Sequence, residues 1–187
     1  MKFRQSRFIL EVISVLFAVL VLTGCSSEQD PTRRQIEAIN AIRTQLELPK
    51  TPLEYVEMTR NANSPSGNLQ VAFYQDTEGR KYFVDPSTNQ VVEMDARSLL
   101  ANIPALASFM SDDDIRAKAQ KYISAAIPGF DTLRTGWAYE EGNKGDNYFY
   151  SWYGEMAASA FNRPFAQIAI HRSGVLFAYY NTLLLEK

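Results

Sequence analysis

The apolar positions of the chain change period in a regular order. Over residues 32–47, Ile36, Ile39, Ile42 and Leu46 recur at spacings of three and four, which places them on one face of a helix. Thr32 followed by Gln35 has the form of a capping box, and Pro49 and Pro52 end the pattern. Strand-like pieces follow at 53–59, 69–75, 81–85 and 90–95, separated by the turn-rich stretches NANSPSGN, DTEG and PSTN. In the second piece Leu69, Val71 and Phe73 alternate with Gln70, Ala72 and Tyr74, the pattern of a sheet with one face covered.

The second half repeats this order. Ser111 with Asp112, Asp113 and Asp114 supplies an N-cap and first-turn carboxylates, which favour the positive end of a helix. Ile115, Ala119, Tyr122, Ile123 and Ala126 then mark a helical face that Pro128 and Gly129 close, and strands are expected at 132–140, 147–153, 164–172 and 174–181. Between the halves, Leu99, Leu100, Ile103, Leu106 and Phe109 have helical spacing, with Pro104 as a break. The expected fold class is therefore α+β, made of two repeated units. Each is a helix followed by, and packed on, an antiparallel sheet of about four strands. The first unit covers 32–95, a connecting helix 96–110, and the second unit 111–187.

The start of the chain belongs to neither unit. Lys2, Arg4 and Arg7 precede an apolar run over 8–22 that only Glu11 and Ser14 interrupt. That order is a secretory signal, and its core of about fifteen residues is short of the roughly 20 that span a bilayer. The run ends in Leu22, Thr23, Gly24 and Cys25, which resembles the bacterial lipobox. The resemblance implies that residues 1–24 are removed and that Cys25 is acylated. Residues 25–31 then form a short polar tether to the cell membrane or outer membrane, with the folded part outside the cytoplasm. The tether from Ser26 to Pro31 reaches at most about 22 Å.

Cys25 is the one cysteine, so its acylation leaves no thiol for a disulfide or a cysteine metal site. The net charge is −2 for the chain and −4 once the leader's Lys2, Arg4, Arg7 and Glu11 are gone. A nucleic-acid partner calls for a basic footprint, which is lacking.

A second resemblance covers most of 32–182. KYFVDPSTNQVVEMD, from Lys81, resembles the closing hairpin of PepSY-type domains. AQKYISAAIPGFD resembles their helix and its Pro-Gly ending, and FAQIAIHRSGVLFAYYN their last strand pair. Asn89 stands at the family's turn glycine in the first unit and Gly174 keeps it in the second, which also carries the insert GEMAASAFNR. The resemblance implies a small α+β module outside the cytoplasmic membrane that binds or restrains peptidases, with no catalytic residue, metal or cofactor assigned to it.

The residues themselves offer little catalytic chemistry. His171 is the one histidine, so a His-rich zinc site is excluded and a Ser/His/Asp triad has a single candidate base. No phosphate loop, HExxH or GxSxG occurs. SDDD reads as a cap, since consecutive residues at a helix start point apart, and EEGNKGDN reads as a hairpin loop. The remaining feature is aromatic density: Trp137, Tyr139, Tyr148, Tyr150 and Trp152 lie on adjacent expected strands beside Phe149 and Tyr153. Trp and Tyr combine apolar area with a polar tip, which suits a binding face, while cross-strand aromatic packing is the alternative. The expectation is a non-enzymatic, membrane-anchored binding module that restrains or assists an envelope peptidase or other envelope protein. A small-ligand carrier, an accessory subunit of an envelope assembly, and a hydrolase using His171 are the other readings.

Overall fold

A computed structural model describes residues 31–104, 108–158, 160–183 and 185. The leader, Cys25 and the tether up to residue 30 lie outside these, as does Leu106.

Helix α1 (Pro31–Gln45) buries Ile39 and Ile42, with Ile36 half-buried before them and Leu46 buried just past its end, along the stripe the spacing predicts. It starts one residue before Thr32, so Thr32 lies within the helix rather than ahead of it. Gln35 is drawn inward instead, where its Oε1 accepts the hydroxyl of buried Tyr74 at 2.7 Å. An otherwise unpaired buried hydroxyl costs more than an exposed helix end. At the C-terminus, Leu48 N–H donates to Arg43 C=O (2.7 Å) and Glu47 N–H to Thr44 C=O (3.3 Å). This Schellman ending puts Glu47 in the left-handed region, φ 56°.

Strands β1 (Leu53–Asn61), β2 (Leu69–Asp76), β3 (Lys81–Asp85) and β4 (Gln90–Asp95) follow. After helix α2 (Asp112–Ala126) come β5 (Ala138–Lys144), β6 (Asn147–Tyr153), β7 (Phe165–His171) and β8 (Leu176–Asn181). All eight belong to one antiparallel sheet, in the order β1-β2-β3-β4-β8-β7-β6-β5, where separate four-stranded sheets were expected. The join is β4 with β8, through Glu93 opposite Tyr180, Met94 opposite Tyr179 and Asp95 opposite Ala178. Its cause lies in the two strands. Val91, Val92 and Met94 of β4 and Leu176, Phe177, Ala178 and Tyr179 of β8 are all buried, so both strands need cover on both faces and take the centre. The polar strand β5 is exposed along its whole length and takes an edge.

Two other expectations change. Residues 132–140 are not one strand: Gly129, at φ 73°, starts the short helix α3 (Phe130–Leu133), a 3-10 turn Arg134–Gly136 follows, and only then does β5 begin. The stretch read as a hairpin loop is largely strand, closed by Gly145 (φ 61°) and Asp146 between the paired Lys144 and Asn147. Of the expected connecting helix, the described residues form a 3-10 segment, Arg97–Asn102. Ile103 before Pro104 is extended (ψ 124°), because the proline ring disfavours helical geometry in the residue ahead of it.

One core runs under both long helices, from Ile39, Ile42 and Leu46 to Ile115, Ala119, Ile123 and Ile127, over Tyr74, Tyr82, Met94, Ile168 and Tyr179. On the other face Ala169, Phe177 and Ala178 pack with Leu100, Phe149 and Tyr180. The 61–68 loop and the 154–163 insert are knitted together: Phe161 N–H donates to Pro65 C=O (2.7 Å), and Asn162 Nδ2 to the carbonyls of Ala62 (2.7 Å) and Ser64 (2.8 Å).

Polar groups inside the first half form a closed set. Arg43 is 1% exposed, and its guanidinium reaches Asp76 Oδ2 (3.1 Å), the Tyr82 hydroxyl (3.1 Å) and Thr51 C=O (2.8 Å). Asp76 also accepts the Arg80 guanidinium (3.3 Å) and, through Oδ1, the backbone N–H groups of Glu78 (3.0 Å) and Arg80 (2.9 Å). Burial pushes the Asp76 carboxyl up, but these hydrogen bonds and the Arg80 charge outweigh it and hold Asp76 below its ordinary range. Breaking one side of a buried pair strands the other charge. Asp76→Ala is therefore expected to lower stability by about 3–5 kcal/mol at neutral pH, measured by urea unfolding, with the difference shrinking as acid takes the wild-type carboxylate below pH 3.8.

Candidate functional site

Period two along β6 sends Tyr148, Tyr150 and Trp152 to the face that α2 covers, and pairing brings Asn143, Glu141 and Tyr139 of β5 beside them. Helix α2 crosses this corner with Arg116 and Gln120, one turn apart. The turn before β5 adds Arg134 and Thr135. These residues with Tyr139, Tyr150 and Trp152 enclose a groove of about 380 Å³. Beyond Arg116 a second hollow of about 210 Å³ is lined by Asp112, Glu141, Asn143 and Tyr148.

The floor is aromatic and fixed. Trp152 and Tyr150 are 5% and 3% exposed, and Phe130 meets Trp152 edge-on at 5.1 Å. Tyr139 stands over Trp152 at 5.3 Å and is 46% exposed, so it forms the wall. Trp137 does not line the groove; it lies against Phe130, 5.8 Å away. Of the five aromatic residues singled out in the sequence, three line the main groove, Tyr148 lines the second hollow, and Trp137 supports the floor.

The rim charges are largely neutralised from within. Arg116 donates from Nε to Glu141 Oε2 (3.0 Å), from Nη2 to Glu141 Oε1 (3.1 Å) and from Nη1 to Asp113 (2.8 Å). The Tyr139 hydroxyl donates to Glu141 Oε2 at 2.8 Å. Hydrogen bonds from Arg116 and then Tyr139 hold Glu141 below its ordinary range, so it stays ionised. Tyr139 is pushed up by burial and by the hydrogen bond and charge of Glu141. The Tyr148 hydroxyl donates to Asp112 (2.8 Å), which raises that phenol as well. Arg134 has a longer contact, 3.5 Å to Asp131. The result is a guanidinium held by carboxylates at the rim of a groove with an aromatic floor, a composition that suits an apolar or aromatic group.

The SDDD segment caps α2: Ser111 Oγ accepts Asp114 N–H (3.2 Å), while Asp112 and Asp113 serve the groove. Arg116, Gln120, Arg134 and Thr135 went unnoticed in the sequence. The first two sit next to the buried Ile115 and Ala119 stripe at a spacing of four, which was a readable signal; Arg134 and Thr135 fell in a stretch read as strand.

His171 lies at the β7–β8 turn. Its Nδ1 accepts Ser173 N–H (3.0 Å) and meets Ser173 Oγ at 2.8 Å, and Phe109 packs on the ring at 6.4 Å. No carboxylate among the described residues hydrogen-bonds it.

On the opposite face a hollow of about 290 Å³ is lined by Asn63, Tyr153, Phe165, Gln167 and Tyr180. Tyr180 stands opposite Glu93 in the β4–β8 pairing. Glu93 is 9% exposed and accepts Asn61 Nδ2 at 3.0 Å. Burial first, and then the charge of Asp95, raises its carboxyl above the ordinary value.

Comparison of the chain with protein-family models, with curated proteins and with solved structures yields no match.

A carboxyl raised in the folded state makes the fold bind a proton that the unfolded chain gives up, so stability falls as pH rises from the ordinary 4.5 through the raised value. Glu93→Gln keeps an acceptor for Asn61 and removes the charge. It is expected to raise the thermal midpoint at pH 7 to 8 by a few degrees, for about 1 kcal/mol, and to match wild type below pH 4.5. Calorimetry across pH checks this.

Proposed function

We propose that the chain is a lipid-anchored envelope protein, without catalysis of its own, that holds an extended segment of another envelope protein by seating one bulky apolar side chain in the groove between α2 and the β5–β6 hairpin. The observation that carries this reading is the groove itself. It has a buried Trp152 and Tyr150 floor, an exposed Tyr139 wall, and Arg116 and Tyr139 at its rim already hydrogen-bonded to Glu141. Buried aromatic surface ringed by satisfied polar groups is the composition of binding hot spots.

The reading rests also on two resemblances. The lipobox-like Leu22 to Cys25 stretch supports anchoring through an acylated Cys25. The PepSY-like stretches support two related units, and the topology agrees with them. A long helix precedes each run of four strands, and the strand order is unchanged when β1–β4 are exchanged for β5–β8 and read from the other edge. A PepSY-like origin makes an envelope peptidase, held or restrained, the partner of choice. The small-ligand carrier is the second reading, favoured by a groove volume at the lower end of the range for small-molecule sites. The hydrolase reading draws less support, because His171 is engaged by its own turn and takes no part in the groove.

Two experiments test this. Trp152 and Tyr150 are core residues whose truncation leaves a cavity, so exposed Tyr139 is the cleaner probe. A photo-crosslinking amino acid at Tyr139 is expected to trap one envelope protein that the same probe at exposed Lys50 does not. Tyr139→Ala is expected to weaken that complex about tenfold while leaving the melting temperature nearly unchanged; equal capture at both positions refutes the groove. Cys25→Ser is expected to abolish incorporation of labelled palmitate and to move the protein from the membrane pellet to the soluble fraction. Retention of the label would refute anchoring at Cys25.

A further inference from the structure

Among the described residues the sheet ends in two edges with no strand beyond them, β1 and β5, and they differ. In β1 the bulge at Val56 changes the register between Tyr55 and Glu57, so Glu54 (opposite Gln75) and Arg60 (opposite Gln70) point to opposite faces. A copy of β1 laid antiparallel on it cannot bring these two charges together. β5 pairs without a bulge along its whole length, and all seven of its residues are exposed. Its outer face carries Glu140, Gly142 and Lys144. Among the described residues neither Glu140 nor Lys144 has a hydrogen-bond or ion-pair partner, and four residues of strand, roughly 13 Å, keep them from reaching each other.

We propose that β5 is a homodimer edge: two copies of the chain join antiparallel through it, Gly142 facing Gly142 across a two-fold axis perpendicular to the sheet. Such an axis keeps each face on its own side, so residues opposite one another must come from the same face. Only registers centred on a residue meet this condition. Centring on Glu140 or Glu141 sets like charges against each other, and centring on Asn143 leaves Glu140 and Lys144 unpaired. Centring on Gly142 sets Glu140 against Lys144 of the second copy, twice, and Glu141 against Asn143, with Gly142 removing bulk at the axis. The backbone agrees. Lys144 and Asn147 flank a two-residue turn and are bonded to each other, so by alternation Glu141 and Asn143 turn their peptide groups outward, which makes them the hydrogen-bonded pair of the new seam. The axis also leaves both aromatic grooves on one face of the joined sheet, on either side of the seam. The seam does not depend on what the groove holds.

The Gly142 pair is a non-hydrogen-bonded one, with Cα atoms about 4.5 Å apart, within disulfide range. A side chain at Gly142 meets open space. The test is oxidative crosslinking of the full-length chain in its own membrane, with the wild-type chain, which carries Cys25, setting the background. Gly142→Cys is expected to give a disulfide-linked dimer. Ala138→Cys, on the same strand but roughly 27 Å from its copy, is expected to stay at background. Adding Glu140→Lys or Lys144→Glu to Gly142→Cys is expected to cut the yield about tenfold, and adding both to restore it. A Gly142→Cys chain that stays at background, equal yield from Ala138→Cys, or a double charge swap that fails to restore the yield would overturn the proposal.

Discussion

Three residue pairs between β4 and β8 hold the sheet together. Each strand is apolar on both sides, so neither is stable at an edge, and pairing the two supplies each with the neighbour it lacks. Met94 and Tyr179, opposite one another at this join, are fully buried in the core that lies under α1 and α2. The same pairing sets Glu93 against Tyr180 on the other face, where Asn61 at the end of β1 hydrogen-bonds Glu93. With its most apolar strands central, the sheet leaves its least apolar strand, β5, at the rim. The groove follows from that placement, because among the described residues β5 has no strand on its outer side and Tyr139 is left half exposed beside α2.

Charge is handled in opposite ways in the two halves. In the first, Arg43, Asp76, Arg80 and Tyr82 are buried as a mutually bonded set that fastens α1 to β2 and β3. In the second, Arg116, Asp113, Glu141 and Tyr139 are bonded at the surface, where solvent weakens the ion pairs. Burial makes the first set a structural tie. The exposed second set holds Arg116 at the rim of the groove without closing it. Between the helices, Glu47 at the end of α1 meets Lys121 and the Tyr122 hydroxyl of α2, so the left-handed residue that ends one helix also joins it to the next.

Much of this was legible along the chain. The periods of the two long helices, the hairpin 81–95 and the strand 147–153 were each read within a residue or two, because every one is amphipathic or apolar enough to be set by its own pattern. The misread stretches are those in which one residue overrides a pattern. Pro104 cuts short a helix whose apolar spacing is good, Gly129 restarts a helical turn where strand was expected, and Gly145 tightens a loop into a hairpin. The aromatic residues of the groove were visible as a cluster. Their arginine neighbours were not, since Arg116 and Arg134 lie 18 residues apart and meet only after α2 packs on β6.

The sequence by itself determined the class of fold and the number of strands, because these follow from local periodicity and turn residues. It also determined the lipobox-like stretch before Cys25 and the scarcity of catalytic side chains. Tertiary structure alone decided that the strands form one sheet rather than two. It also decided that Trp152 and Tyr150 are a floor rather than an open face, and that β5 is left with a free edge. These depend on which strands find each other as neighbours, a long-range choice made by the burial that two apolar strands require at once, which no local pattern records.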